Sequence, residues 1–294
     1  LSTSPADRRW LDGLLAWYFV SVWGSGYLAT KVGLQYAAPF TFLALRFSLG
    51  VALMIPVVLA TRARWPAPKR ELGHVVVAGL LMHAVNLGGS HYAQYLGLSA
   101  GITALLLSAQ PLLTAFVAAR WLREPLAPAQ WTGIFIGLAG VILVVWHKID
   151  VQAMSLGSLA AVSVSLAAVT AGTLYQRHFC PTADLRSATL VQLAASLALV
   201  APLAWVVEGA EVRWSSALVA AILFLVVLAS ILATNALHVL MRRGQATRVT
   251  TLLYLTPIFA VVLERLMFDV VPSALSLAGI AVTCLGVALV AWRR

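Results

Sequence analysis

The chain has 294 residues, 61% of them hydrophobic and only 10% charged, with a formal net charge of +10 at neutral pH. A mean hydropathy of +0.92 is more than a water-facing surface can hide, which makes lipid the expected solvent. Long apolar runs without strict alternation exclude a barrel and leave membrane-spanning helices.

Proline, glycine and charge clusters divide the chain into ten expected spans: 11–34, 38–61, 72–96, 100–122, 128–147, 156–178, 184–208, 215–241, 246–270 and 273–292. The first carries Trp17, Tyr18, Trp23 and Tyr27. Arg8 and Arg9 before it, and Gly24-Ser25-Gly26 within it, imitate a signal peptide. A repeat partner later in the chain makes it an integral helix instead. Arg46 lies well inside the second span. It can pair with a carbonyl or a helix end, or attract a substrate carboxylate; the structural role is the expectation.

In the third span His83, Asn86, Ser90 and Gln94 step by three, four and four, which puts them on one helical face. Such a seam avoids lipid, and its continuity favours a cavity lining, with His91 and Tyr95 on a neighbouring stripe. The fourth span contains "LLSAQPLLTAF", where Pro111 removes a backbone hydrogen bond beside the amide of Gln110. The sixth offers Ser163, Thr170, Thr173 and Tyr175, and the eighth Ser230, Thr234, Asn235 and His238. Tyr254 and Thr256 precede Pro257 in the ninth. Glu264 and Asp269 belong to that span's outer end, which leaves no carboxylate near the midplane. Spans five and ten carry the small-residue ladders Gly133, Gly137, Gly140 and Gly279, Thr283, Gly286, which suit close helix packing within the bundle or between protomers.

The basic residues set a direction. With the N-terminus cytoplasmic, fifteen Lys and Arg residues fall on the cytoplasmic side and four on the other, Arg46 being within a span. That bias places both termini in the cytoplasm and explains the positive charge without a nucleic-acid partner. Cys180 at a helix end and Cys284 within a span argue against a disulfide.

Shifting the sequence by 146 residues against itself pairs Gly26 with Gly172, Lys31 with Arg177, and Pro56 with Pro202. Pro111 pairs with Pro257, Gly133 with Gly279, Gly140 with Gly286, and Trp146 with Trp292. The chain therefore reads as one membrane domain, 1–294, made of two five-helix repeats, 1–148 and 149–294. Five spans per repeat is an odd number, so the second copy enters the membrane inverted, as in many secondary transporters. Matched interruptions at Pro111 and Pro257 mark hinges and point to a binding site near the midplane.

The candidate substrate-binding residues are Trp23, His83, Asn86, Ser90, Gln110, Tyr175, Asn235, His238 and Tyr254. Aromatic rings beside uncharged polar groups suit a small amphipathic solute. No HExxH and no close His–carboxylate pair occurs, so no catalytic residue, metal ligand or cofactor is assigned and an intramembrane enzyme is disfavoured.

The motifs "VWGSGYLATKVGL", "FLALRFSLG" and "LLLSAQPLL" through "LREPLAPAQWTGIFIGLAGVILV" resemble the drug/metabolite transporter superfamily in its EamA-type branch. A degraded second copy runs from "LLYLTPIF" to "SLAGIAVTCLGVAL", departing at Phe268-Asp269 where the first copy has Arg123-Glu124-Pro125. Within that branch the chain is similar to YddG-type amino-acid exporters. The resemblance implies an all-α, ten-helix basket around a central cavity, with spans five and ten outside it. It also implies export of aromatic or other neutral amino acids across a bacterial inner membrane. Alternating access by a monomer or weak dimer, driven by the substrate gradient, is the expected mode. Proton-coupled multidrug efflux is the alternative, though it needs an anion facing the cavity.

Overall fold

Helix starts follow local chemistry. Ser99, Ser155, Asp184 and Ser215 each turn a side-chain oxygen onto a free backbone N–H of the helix that follows. The computed structural model describes residues 5–66, 69–121, 127–150, 155–233 and 256–291. Among them the regular elements are helices, with one isolated bridge between Ala37 and Val212.

Helices α1 (Pro5–Gly33) and α2 (Pro39–Ala60) are joined by a short turn. Helix α3 (Lys69–Gly79) passes through a π-helical stretch, Leu80–Val85, into α4 (Asn86–Tyr95). The fourth segment is broken into α5 (Ala100–Leu107) and α6 (Gln110–Trp121), with Pro111 in the first turn of α6, where its missing N–H costs nothing. Helices α7 (Pro128–Asp150), α8 (Leu156–Phe179) and α9 (Leu185–Glu208) follow. Helix α10 (Ser216–Leu223) runs into a second π-helical stretch, Phe224–Ala233, and α11 (Thr256–Phe268) and α12 (Ala274–Ala291) complete the described chain.

Six of these stretches are long and apolar enough to cross a membrane, and Pro128–Leu143 and Ala274–Leu289 are shorter apolar helices. Their outer faces carry exposed Leu59, Phe135, Ile142, Trp205 and Val206, as expected where lipid replaces water. The protein is an all-helical membrane protein.

Packing joins the first half of the chain to the second. Helix α2 lies antiparallel to α9: Phe40 and Thr41 meet Glu208, Gly50 meets Leu193, and Val58 clusters with Leu190. Helix α1 runs antiparallel to the α10 segment, with Tyr36 bonded to Arg213 and Tyr18 to Leu228. The matching pair, α8 against α3–α4, is antiparallel too: Tyr175 meets His74 and Ser165 meets Asn86. Helix α1 is parallel to α11, from Gly24 against Thr256 to Lys31 against Glu264. Likewise α8 is parallel to α5–α6, from Val162 beside Ile102 to Thr173 at Gln110.

Helices α7 and α12 cross through their small residues. A Cβ on Gly286 would strike the backbone of Gly137 and come within 2.6 Å of the Gly133 carbonyl oxygen, and one on Gly140 would come within 2.6 Å of the Thr283 backbone nitrogen. The Thr283 hydroxyl donates to the Gly279 carbonyl at 2.8 Å. The expected ladders are therefore spent on each other, inside one chain.

Candidate substrate site

The two ends of the bundle differ. At the end marked by Lys31, the Glu264 carboxylate is 2% exposed and accepts from Lys31 Nζ at 2.7 Å. Its two oxygens also accept the Ala100 and Gly101 N–H groups, the free donors at the start of α5. The Lys31 ammonium stands 4.3 Å from the centre of the Phe268 ring. Nearby, Glu208 accepts from the Phe40 and Thr41 N–H groups and the Thr41 hydroxyl, closing the start of α2. A crevice of about 30 Å³ between Ile102, Val261 and Ile280 has room for about one water.

At the opposite end, marked by Asp184, an open cavity of about 470 Å³ is bounded by Met82, Thr173, Gln176, Arg177, Cys180 and Pro181. Here Asp184 accepts from the Arg186 side chain, the Arg186 N–H and the Arg64 N–H. The Arg186 guanidinium, then those backbone N–H groups, hold its carboxyl well below the usual carboxylate range.

A polar chain leads inward from the cavity. Gln192 Nε2 donates to Gln176 Oε1 at 2.9 Å, and Gln192 Oε1 lies 3.3 Å from His83 Nε2. With its amide nitrogen already donating, Gln192 offers His83 an acceptor. His83 therefore carries a hydrogen on Nε2, and its neutral form keeps Nδ1 as an acceptor. Its ring meets Phe47 edge-on, and both His83 and His91 lie within electrostatic reach of Arg46.

The π-helical stretch redistributes the expected seam of the third span. Winding by five residues instead of four turns His83 toward α9, whereas Asn86 faces α8 and accepts from Ser165 at 2.8 Å. Ser90 is buried and donates to its own helix at Leu87. Gln94 Oε1 is buried with no partner among the described residues. Gln110 donates to Thr173 at 3.1 Å, beside the broken turn. Tyr175 bonds His74 at 2.7 Å and packs on Phe179, close to the Asp184 end. Trp23 is partly exposed and packs on Phe19 at 5.2 Å, whereas Thr30, two turns further along α1, lies 3.3 Å from His91 Nε2 on α4. Pro257 is in the first turn of α11, as Pro111 is in that of α6. Asn235, His238 and Tyr254 lie outside the described residues.

The family model of EamA-like transporters matches this chain twice, over residues 13–146 and 155–292. The chain belongs to the EamA-like transporter family. It is 26% identical to the inner membrane transporter YedA of Escherichia coli K12, across 82% of this chain and 78% of that one. The transporter YvbV of Bacillus subtilis is 23% identical across 94% and 90%. A probable amino-acid metabolite efflux pump of Salmonella typhimurium is 24% identical across 91% and 90%. A solved crystal structure aligns over 95% of each chain with a TM-score of 0.66 at 20% identity, a likeness of fold alone.

Sequence reasoning passed over three polar residues near the cavity of this EamA-like transporter. Gln176, Gln192 and His74 were part of no expected site, yet Gln176 borders the open cavity, Gln192 bonds to it and His74 bonds Tyr175. Their polar side chains were the available signal: His74 at the start of the third span, Gln176 at the end of the sixth and Gln192 within the seventh. The Lys31–Glu264 pair had a signal as well: two opposite charges, each near the end of an apolar stretch on the same side of the membrane.

Proposed function

We propose that this transporter exports small metabolites, with amino acids bearing aromatic or other neutral side chains as the substrates, by alternating access between two inverted halves. The observation that carries the reading is that matched elements pair with each other. Under the 146-residue offset α7 corresponds to α12 and α2 to α9, and each of these pairs is antiparallel, as a two-fold axis in the membrane plane requires. The two π-helical stretches fall at matched positions, since Leu80–Val85 shifts onto residues 226–231, inside Phe224–Ala233. Gln110 and Thr256 likewise begin matched helices, each followed by proline.

In this reading ten spans form the bundle, α7 and α12 stand apart as a brace, and the solute passes between α1–α6 and α8–α11. The excess of basic residues puts the Asp184 end and both termini in the cytoplasm. The open cavity then faces inward and the Lys31 end is the closed outer gate. Residence in a bacterial inner membrane and export of amino-acid metabolites agree with the names of YedA and of the Salmonella efflux pump. Because the small-residue ladders are used internally, a monomer or weak dimer suffices. Transport runs down the substrate gradient, since the buried carboxylate Glu264 is tied to Lys31 and to backbone donors.

Counterflow in proteoliposomes across the twenty amino acids tests this reading. Aromatic or other neutral amino acids should exchange at the same rate with or without a pH gradient. Efflux that stops when the proton gradient is collapsed would replace the gradient-driven mechanism with a coupled one, and absence of exchange for all twenty would reject amino-acid export.

A further inference from the structure

We infer that Arg46 is the seat of a substrate carboxylate, so that the solute carried is a carboxylate-bearing metabolite and not a cation or a neutral amide. The inference rests on the transport reading for its meaning, though not for its test.

Arg46 lies seven residues into α2, about 10 Å below the Lys31 end of the bundle. It is half-buried and its guanidinium reaches Ser230 in the second π-helical stretch. A guanidinium has five N–H donors. Among the described residues one bond uses them, to Ser230 Oγ at 3.3 Å, and that hydroxyl already donates to the Leu225 carbonyl. A structural arginine at this depth would be expected to grip a carbonyl cluster or a carboxylate instead.

Among the described side chains no carboxylate is placed to neutralise it. Glu264 holds Lys31, Asp184 holds Arg186, Asp269 holds Arg265, and Glu208 caps α2. Glu71 lies in the first turn of α3, Glu211 lies in the connection after α9, and the 22 residues from 234 to 255 contain no Asp or Glu. Among the described residues the Arg46 charge therefore has no counterion. A buried charge without a counterion is costly, and a ligand that brings a carboxylate removes that cost. The same charge repels cationic solutes. The ring of His83, packed on the adjacent Phe47, offers Nδ1 as an acceptor to a ligand N–H.

The test compares L-phenylalanine, N-acetyl-L-phenylalanine and L-phenylalaninamide as probes of the purified full chain in nanodiscs, read by tryptophan fluorescence. Both acids should bind, and the amide at least about tenfold more weakly. Arg46→Gln should erase the difference between acid and amide, and Arg46→Lys, which keeps charge but loses the fork, should restore part of it. Equal binding of acid and amide by the unaltered protein would overturn the inference without relying on any variant. So would retained discrimination in Arg46→Gln, or failure of both acids to bind. Acid-selective binding without transport in liposomes would instead sink the transport reading and leave this one standing.

Discussion

The Lys31 end and the Asp184 end of the bundle are stapled by different means. At the first, carboxylates reach across the bundle: Glu264 ties α11 to α1 and α5, and Glu208 ties α9 to α2. At the second, Asp184 serves mainly its own helix and the neighbouring Arg64 turn. The offset that matches the two halves puts Ala118 where Glu264 would be and Arg62 where Glu208 would be. The scaffold is thus close to symmetric while its fastenings are not. A transporter built from two like halves needs such a bias to rest in one state, because two equal gates would leave the resting state undetermined.

The largest break in this comparison should come from Glu264→Ala. It strips Lys31 of its partner and frees two N–H groups at the start of α5, a loss of about 3 kcal/mol or more at the closed end. The readout is the maleimide labelling rate of the native Cys180, which borders the open cavity. If the ends alternate, releasing the Lys31 end shifts the population outward and Cys180 labelling should slow. General loosening would speed it, and that outcome would detach the clamp from gating.

A change at the crossing of α7 and α12 supplies the control. Gly286→Ala sets a methyl group against the backbone of Gly137, which cannot yield as a flexible side chain would. The two helices must separate, at a cost of about 2 kcal/mol. Because the brace serves both halves alike, thermal stability should fall while the Cys180 labelling of the folded fraction stays unchanged. A biased shift in labelling would mean that the brace takes part in gating.

Much of this contrast was legible in the sequence where local rules govern. Proline, glycine and charge clusters are short-range signals, and the span starts they give at 100, 156, 184 and 215 fall within a residue of the helices at Ala100, Leu156, Leu185 and Ser216. Two things were hidden. The seam of His83, Asn86, Ser90 and Gln94 assumes 3.6 residues per turn, and the π-helical stretch at Leu80–Val85 breaks that assumption, sending the four side chains to different neighbours. The clamps join residues far apart in the chain, Lys31 with Glu264 and Thr41 with Glu208, and no periodicity announces such partners. Arg46 was visible as an intruder, but its lack of a carboxylate partner among the described residues appears only in three dimensions.

The smallest expected effect sharpens the comparison from the Asp184 end. The Asp184 carboxyl is held below its ordinary range by Arg186 and by backbone donors, so the folded protein favours its charged form more than the unfolded chain does. That contribution is complete above the unfolded value of about 4 and fades as the pH falls through the lower folded value. Arg186 is well exposed and water screens the pair, so the gain is under about 1 kcal/mol. Asp184→Asn retains an N-cap oxygen and removes the charge. Its melting temperature should sit slightly below that of the unaltered protein at pH 7, and the gap should close as the pH drops below about 4. A gap that stays constant across that range would mean that Asp184 acts there as a hydrogen-bonding cap alone, and charge would then fasten only the Lys31 end.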